Sequence, residues 1–192
     1  MKLTKLILIV TFCLGVVSGQ SQEHLQFKNR PIDGKVTAFA QALQQQGFII
    51  VKEKEKKNLF VLKGLFINRL CEVRLVATKR TALIWKVSVF LPQEDDWYAL
   101  KNDYLNLQKQ FIVKYGEGKS YEFFSEPYFE GDGREMKALK NERCHYITYW
   151  EKPEGIVALQ ISRDGQIVII YEDAINAALD TKETTHIISN DI

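Results

Sequence analysis

The chain is predicted to be an α+β protein built from two tandem helix-plus-antiparallel-meander units, with the helices packed on one face of a curved sheet. Three observations predict this. Between Asp95 and Tyr115, the residues Trp97, Leu100, Tyr104, Leu107, Phe111 and Tyr115 recur every three or four positions, which puts all six on one face of an α-helix. On both sides of that segment, short runs alternate apolar with other side chains, the period of a half-buried strand. The order of a helix followed by strands then occurs in each half. Of the 192 residues, 46% are hydrophobic and 11% aromatic, enough apolar surface for a packed globule rather than a disordered chain.

Residues 1–20 read as a signal peptide. Lys2 and Lys5 precede the apolar run Leu6 to Val17, and Ser18, Gly19 and Ser21 supply small residues for cleavage. The run holds about a dozen apolar residues, short of the roughly 20 that a membrane-spanning helix needs. Phe12 stands before Cys13 where a lipobox would place a small residue, so lipidation is not expected. The implied location is exported: periplasmic, outer-surface or secreted, with no transmembrane span after cleavage. Without the leader the chain carries 24 basic and 24 acidic residues, a balance that argues against nucleic acid or an anionic membrane as the main partner.

The first unit spans residues 21–92. Leu25 to Phe27 reads as a short strand, and Pro31, Asp33 and Gly34 mark a turn before a helix from Lys35 to Gln46. Val36, Phe39, Ala40 and Leu43 give that helix its apolar face, and Gly47 ends it. Phe48 to Val51 is the first strand of a meander, and the sign-alternating run Lys52 to Lys57 is read as a solvated hairpin turn. Leu59 to Ile67 is apolar on both faces, as in a central strand. In the next strand Cys71, Val73, Leu75 and Ala77 face one way while Glu72 and Arg74 face the other. Leu83, Trp85, Val87, Val89 and Leu91 alternate again until Pro92 stops the ladder.

The second unit spans residues 93–180. It opens with the long helix, capped by Asp95 or Asp96 and ended by Gly116. Ser120 to Gly133 reads as an aromatic loop, and Arg134 to Lys140 as a helical turn. Cys144 to Trp150 is a strand with Cys144, Tyr146, Thr148 and Trp150 on one face. Ile156 to Ile161 and Gln166 to Tyr171 form a hairpin around Asp164-Gly165. Glu172 to Leu179 is expected to be a short helix, and residues 181–192 a polar, frayed tail.

No catalytic signature is present, and no cofactor is implied. His24, His145 and His186 are scattered without metal-ligand spacing. Cys144 and His145 are adjacent, so on a strand they face opposite sides and cannot pair as nucleophile and base. Gly118-Lys119-Ser120 copies the end of a phosphate-binding loop, but Val113 replaces its first glycine and the tripeptide follows a helix instead of opening one. Gly131-Asp132-Gly133 is too sparse for a calcium loop. After cleavage Cys71 and Cys144 remain, and two readings stand: one disulfide joining the two halves, or two small buried apolar side chains.

What stands out is aromatic. Tyr121, Phe123, Phe124, Tyr128 and Phe129 crowd one segment, interleaved with Glu122, Glu126 and Glu130. Such rings either cover the open end of a sheet or form a contact surface, because they bury large area at little entropic cost. Tyr149 and Trp150 would extend that surface onto the neighbouring strand.

Several motifs resemble a group of uncharacterised exported proteins of Bacteroides and relatives. They are Phe27-x-x-x-Pro31-Ile32-Asp33-Gly34 before a helix, Gly47-Phe48 after it, Gly64-x-Phe66, and Trp97-x-x-Leu100-x-x-x-Tyr104 leading to Tyr115-Gly116. The layout of two helix-plus-meander units is also similar to β-lactamase inhibitor protein, in which such units form a curved sheet that grips an enzyme; the likeness is one of layout, not residues. The expectation is an exported non-catalytic binding module that contacts a protein or envelope ligand through an aromatic sheet face and loop. The alternatives are a small exported hydrolase using paired carboxylates, or a structural envelope component.

Overall fold

A computed structural model describes residues 23–54 and 59–191. The expected signal peptide at 1–20 and the part of the charged turn at 55–57 lie outside the described residues. In chain order the elements are β1 (Gln26–Phe27), β2 (Arg30–Pro31), α1 (Val36–Gln44), β3 (Ile49–Lys54), β4 (Leu59–Phe66), β5 (Arg69–Ala77) and β6 (Ile84–Phe90). They continue with α2 (Trp97–Tyr115), β7 (Lys119–Phe124), α3 (Glu135–Lys140), β8 (Cys144–Lys152), β9 (Gly155–Ile161), β10 (Ile167–Asp173) and α4 (Ala174–Asp191). The fold is α+β, with helices packed against a large antiparallel sheet. That sheet has eight strands in the order β3-β4-β5-β6-β10-β9-β8-β7, while β1 and β2 pair separately. Each half therefore lays down four strands in succession, and the last strand of each, β6 and β10, pair at the centre.

α2 forms where its stripe predicts. Asp96 accepts a hydrogen bond from the Ala99 N–H at 2.8 Å, satisfying one of the free donors of the first turn. Gly116 closes the helix at φ 82°, a left-handed conformation that costs glycine least. Trp97, Leu100, Tyr104 and Leu107 are buried, and Phe111 and Tyr115 pack at the margin of the same core. The alternating residues of β5 and β8 face that core too: Cys71, Val73, Leu75 and Ala77 from one, Cys144, Tyr146 and Trp150 from the other. One buried cluster draws on α1, α2, α3 and both meanders, so the two halves share a core.

Several expectations are corrected. β3 runs on to Lys54, so the first half of the charged run is strand and not turn. Residues 119–124 are strand β7, not loop, because they pair without interruption along β8. On β6 the inward position belongs to Ile84, fully buried, and not to Trp85: a bulge beside Val76 and Ala77 leaves Trp85 as the extra residue and shifts the alternation. Cys71 and Cys144 are both free and buried. Their strands, β5 and β8, stand four positions apart in the sheet, about 19 Å at the usual strand spacing. A disulfide needs Cα atoms within about 7 Å, so these two cannot bond within one chain.

The largest departure is the C-terminus. Instead of a short helix and a frayed tail from 181, α4 continues to Asp191. Polar anchors hold it in place of an apolar stripe. Asp173 caps it by accepting the Asn176 N–H at 2.9 Å, and also accepts the Leu25 N–H at 2.9 Å. Asn176 donates to the carbonyls of Ile84 and Ile32 at 2.9 and 3.2 Å. Two turns on, Glu183 accepts from the Arg80 N–H and the Thr81 hydroxyl, both at 2.6 Å, clasping the turn between β5 and β6. Burial opposes the charge on Glu183, but these donors outweigh it and hold its carboxyl below the ordinary value. No helix of the described residues is long and apolar enough to cross a membrane.

Candidate functional site

The eight-stranded sheet has a second face, and no residue of that face belongs to the core cluster. Strand register identifies its members, because residues directly opposite in an antiparallel pair share a face. Starting at the β7 edge, Tyr121 lies opposite Ile147 and Phe123 opposite His145. Ile147 lies opposite Gln160, and Tyr149 opposite Ala158. Ala158 continues to Ile170 and Gln160 to Val168, and from β10 the rows pass to Ser88 and Phe90 on β6. Phe90 then faces Glu72, and Ser88 faces Arg74 on β5.

This outer face is apolar along β10 and β9, where Val168 and Ala158 are themselves buried. β10 carries Val168 and Ile170 outward as well as Ile167 and Ile169 inward, the two-sided pattern of a strand covered on both faces. At the β7 end the rings are exposed: Tyr121 at 52% and Phe123 at 49%. Tyr121 stacks on Tyr149 with centroids 6.1 Å apart and planes within 4°, and Phe123 lies 4.9 Å from the His145 ring. The Tyr121 hydroxyl beside it raises the Tyr149 phenol above its ordinary value. From β7 to β6 the apolar band crosses five strands, about 19 Å.

Charged pairs border the band. Lys119 bonds Glu151 at 2.7 Å, with its ammonium 5.6 Å from the Tyr149 ring centroid. Arg74 lies 4.0 Å over the Phe90 ring and bonds Glu72 at 2.7 Å, and Lys86 pairs with Glu172 at 3.3 Å. Exposed rings beside charged pairs, as at the β7 end, have the composition of a protein contact surface.

The seven aromatic residues predicted as a site do not share one face of the sheet. Tyr121, Phe123 and Tyr149 meet on the outer face. Phe124 and Trp150 point the other way, since each follows an outward residue on a strand. Phe124 packs edge-on against Trp97 at 5.5 Å. Trp150 is buried against Phe111 at 5.5 Å and donates its indole N–H to the Gly116 carbonyl at 2.7 Å. Gly118 crosses directly over that indole, where a Cβ would lie 2.8 Å from the ring, which accounts for a glycine that otherwise resembles part of a phosphate loop. Tyr128 is half-buried, its hydroxyl accepting from Asn141 at 3.1 Å and its ring under the Arg134 guanidinium. Phe129 is exposed in the connection between β7 and α3.

The residues that prediction missed are His145, Ile147, Ala158, Val168, Ile170 and Phe90. The signal for the β8 pair was present: once Cys144, Tyr146, Thr148 and Trp150 are set on one face, His145, Ile147 and Tyr149 must occupy the other. What unites them with β10 and β6 is strand order, which is non-local.

The hydrolase reading asks for carboxylates converging in a pocket. A cleft of about 360 Å³ beside the N-terminal segment is lined by His24, Lys114, Tyr115, Glu154 and Tyr171, among others. Two carboxylates do converge on His24, Asp173 at 3.1 Å and Asp33 at 3.6 Å. Asp173, however, has no exposed side-chain surface and already accepts two backbone N–H groups. It serves as a clamp between the N-terminal segment and α4. Among the described residues no group of three or more His, Cys, Asp or Glu side chains is placed to hold a metal ion. No protein family, curated protein or solved structure matches this chain.

Proposed function

We propose that this chain is an exported, non-catalytic binding module that contacts a protein or envelope ligand through the outer face of its sheet. The observation that carries this reading is the aromatic β7 end of the outer face, where Tyr121 and Phe123 are exposed and lie against Tyr149 and His145, while Val168 and Ala158 further along the band are buried. Tyr121, Phe123 and Tyr149 act as anchors whose burial supplies affinity, and the bordering pairs Lys119–Glu151 and Arg74–Glu72 set orientation. Export rests on the basic and apolar leader at 1–20. Phe129 is exposed, but its neighbours Tyr128 and Glu130 engage the core and Lys101 of α2, so it is tested separately from the outer-face rings.

The test is capture from envelope extracts by the immobilised protein, compared with a Tyr121→Ala, Phe123→Ala, Tyr149→Ala variant and with Phe129→Ala. The three-site variant is expected to lose the specific partner while its circular dichroism and melting stay close to the parent. Unchanged capture by a folded variant would remove the outer face from the reading.

A further inference from the structure

The sheet ends in two edge strands, and they are built differently. β3 carries a bulge between Ile50 and Lys52 and ends in Lys52-Glu53-Lys54. Bulges and charges are the devices by which natural edges discourage further pairing. β7 has no bulge. Its register on β8 is unbroken from Lys119 opposite Tyr149 to Phe124 opposite Cys144, it contains no proline, and five of its six residues are exposed. Its two charges are drawn back over their own subunit: Lys119 bonds Glu151 on β8, and Glu122 accepts from Gln108 of α2 at 3.0 Å. Among the described residues β8 is its only strand neighbour, so one row of backbone N–H and C=O groups is open for strand addition.

We propose that this edge pairs with itself: β7 of one copy lies antiparallel to β7 of a second copy, about a two-fold axis passing midway between the two copies of Tyr121. Such an axis stands perpendicular to the sheet, so paired residues must share a face, and only registers centred on a residue are allowed. Two of these registers pair five of the six β7 residues. The one centred on Glu122 sets two carboxylates directly opposite each other, which is unfavourable. The one centred on Tyr121 sets Lys119 opposite Phe123 of the partner subunit and Ser120 opposite Glu122 of the partner subunit, with no like charges facing. It also brings each Tyr121–Tyr149 stack against its copy, forming a row of four tyrosines across the junction. Two eight-stranded sheets then become continuous, and their outer faces form one surface of doubled length. This assembly stands independently of whether the outer face binds another molecule.

Sedimentation equilibrium of the purified protein tests this first, with a concentration-dependent dimer expected. Cysteine cross-linking tests the register. Tyr121→Cys is expected to form a disulfide-linked dimer under mild oxidation, because the two thiols face each other at the axis. Phe123→Cys is not, because its two copies lie four residues apart along the strands, about 13 Å. The native thiols, Cys71 and Cys144, are buried and do not compete. Tyr121→Lys places two ammonium groups at the axis and is expected to weaken the dimer at least tenfold with the monomer's circular dichroism unchanged. A protein that sediments as a monomer at every concentration would overturn the proposal, leaving the edge to an extended segment of a different chain. Self-linking by Phe123→Cys but not Tyr121→Cys would overturn it equally, by showing a different contact.

Discussion

On β7 and β8, two sets of aromatic rings sit one residue apart in sequence and on opposite faces of the sheet. Phe124, Tyr146 and Trp150 point inward, where they meet Trp97, Phe111 and Tyr115 and are held by hydrogen bonds such as that from the Trp150 indole to Gly116. Tyr121, Phe123 and Tyr149 point outward and touch mainly one another and His145. Composition alone treats the six as equivalent. Strand alternation divides them into rings that hold the fold together and rings that leave it with an apolar surface.

Substitutions on the two sides should therefore separate stability from binding. The largest expected effect is inward: Trp150→Ala removes a ring that is 2% exposed together with its hydrogen bond, and should cost about 3–5 kcal/mol in chemical denaturation. A loss below about 1 kcal/mol would show that the inner set is not a core.

The adjacent pair Cys144 and His145 sharpens the same division. Burial, with Glu130 and Glu135 nearby, pushes the Cys144 thiol up to about 12, so it stays protonated and unreactive in the folded protein. In the unfolded chain it titrates near the ordinary thiol value of about 9. Because the folded value is the higher one, the native state binds the proton more tightly. Stability present below about pH 9 is then lost as pH rises toward about 12. Cys144→Ala should flatten the decline in melting temperature over that range, whereas an equally steep decline would show the thiol is not held protonated.

A smaller effect is expected at Tyr104, fully buried on α2, whose hydroxyl lies 2.7 Å from that of Thr148. Thr148 is also bonded by Gln108 at 2.7 Å and by Ser120 at 2.9 Å. Tyr104→Phe leaves those partners in place, so denaturation should report a loss of only about 1 kcal/mol. The smallest change is outward. Tyr149→Ala should alter stability by less than about 1 kcal/mol, the scale of one cross-strand pair, while reducing partner capture.

Much of the inward set was legible in the sequence, because it rests on local periodicity. The stripe from Trp97 to Tyr115 with Asp96 before it, and the alternations at Cys71–Ala77 and Cys144–Trp150, needed no knowledge of what they pack against. The outward set was harder to read, since β7 becomes a strand only by pairing with β8, and Pro127 with the nearby glycines made its sequence resemble a loop. Strand order likewise decided the cysteines, whose separation follows from β6, β10 and β9 lying between them. α4 was missed beyond Leu179 because its anchors, Asp173 and Glu183, bond to residues about 100 or more positions away.

The most direct measurement is hydroxyl-radical footprinting of the protein bound to its captured partner. Tyr98 is 62% exposed on α2, away from the outer face, and serves as the internal reference. A contact surface on the sheet predicts that Tyr121 and Tyr149 become protected on binding while Tyr98 keeps its reactivity. Protection of Tyr98 with Tyr121 and Tyr149 unchanged would contradict it and move the contact to the helical side.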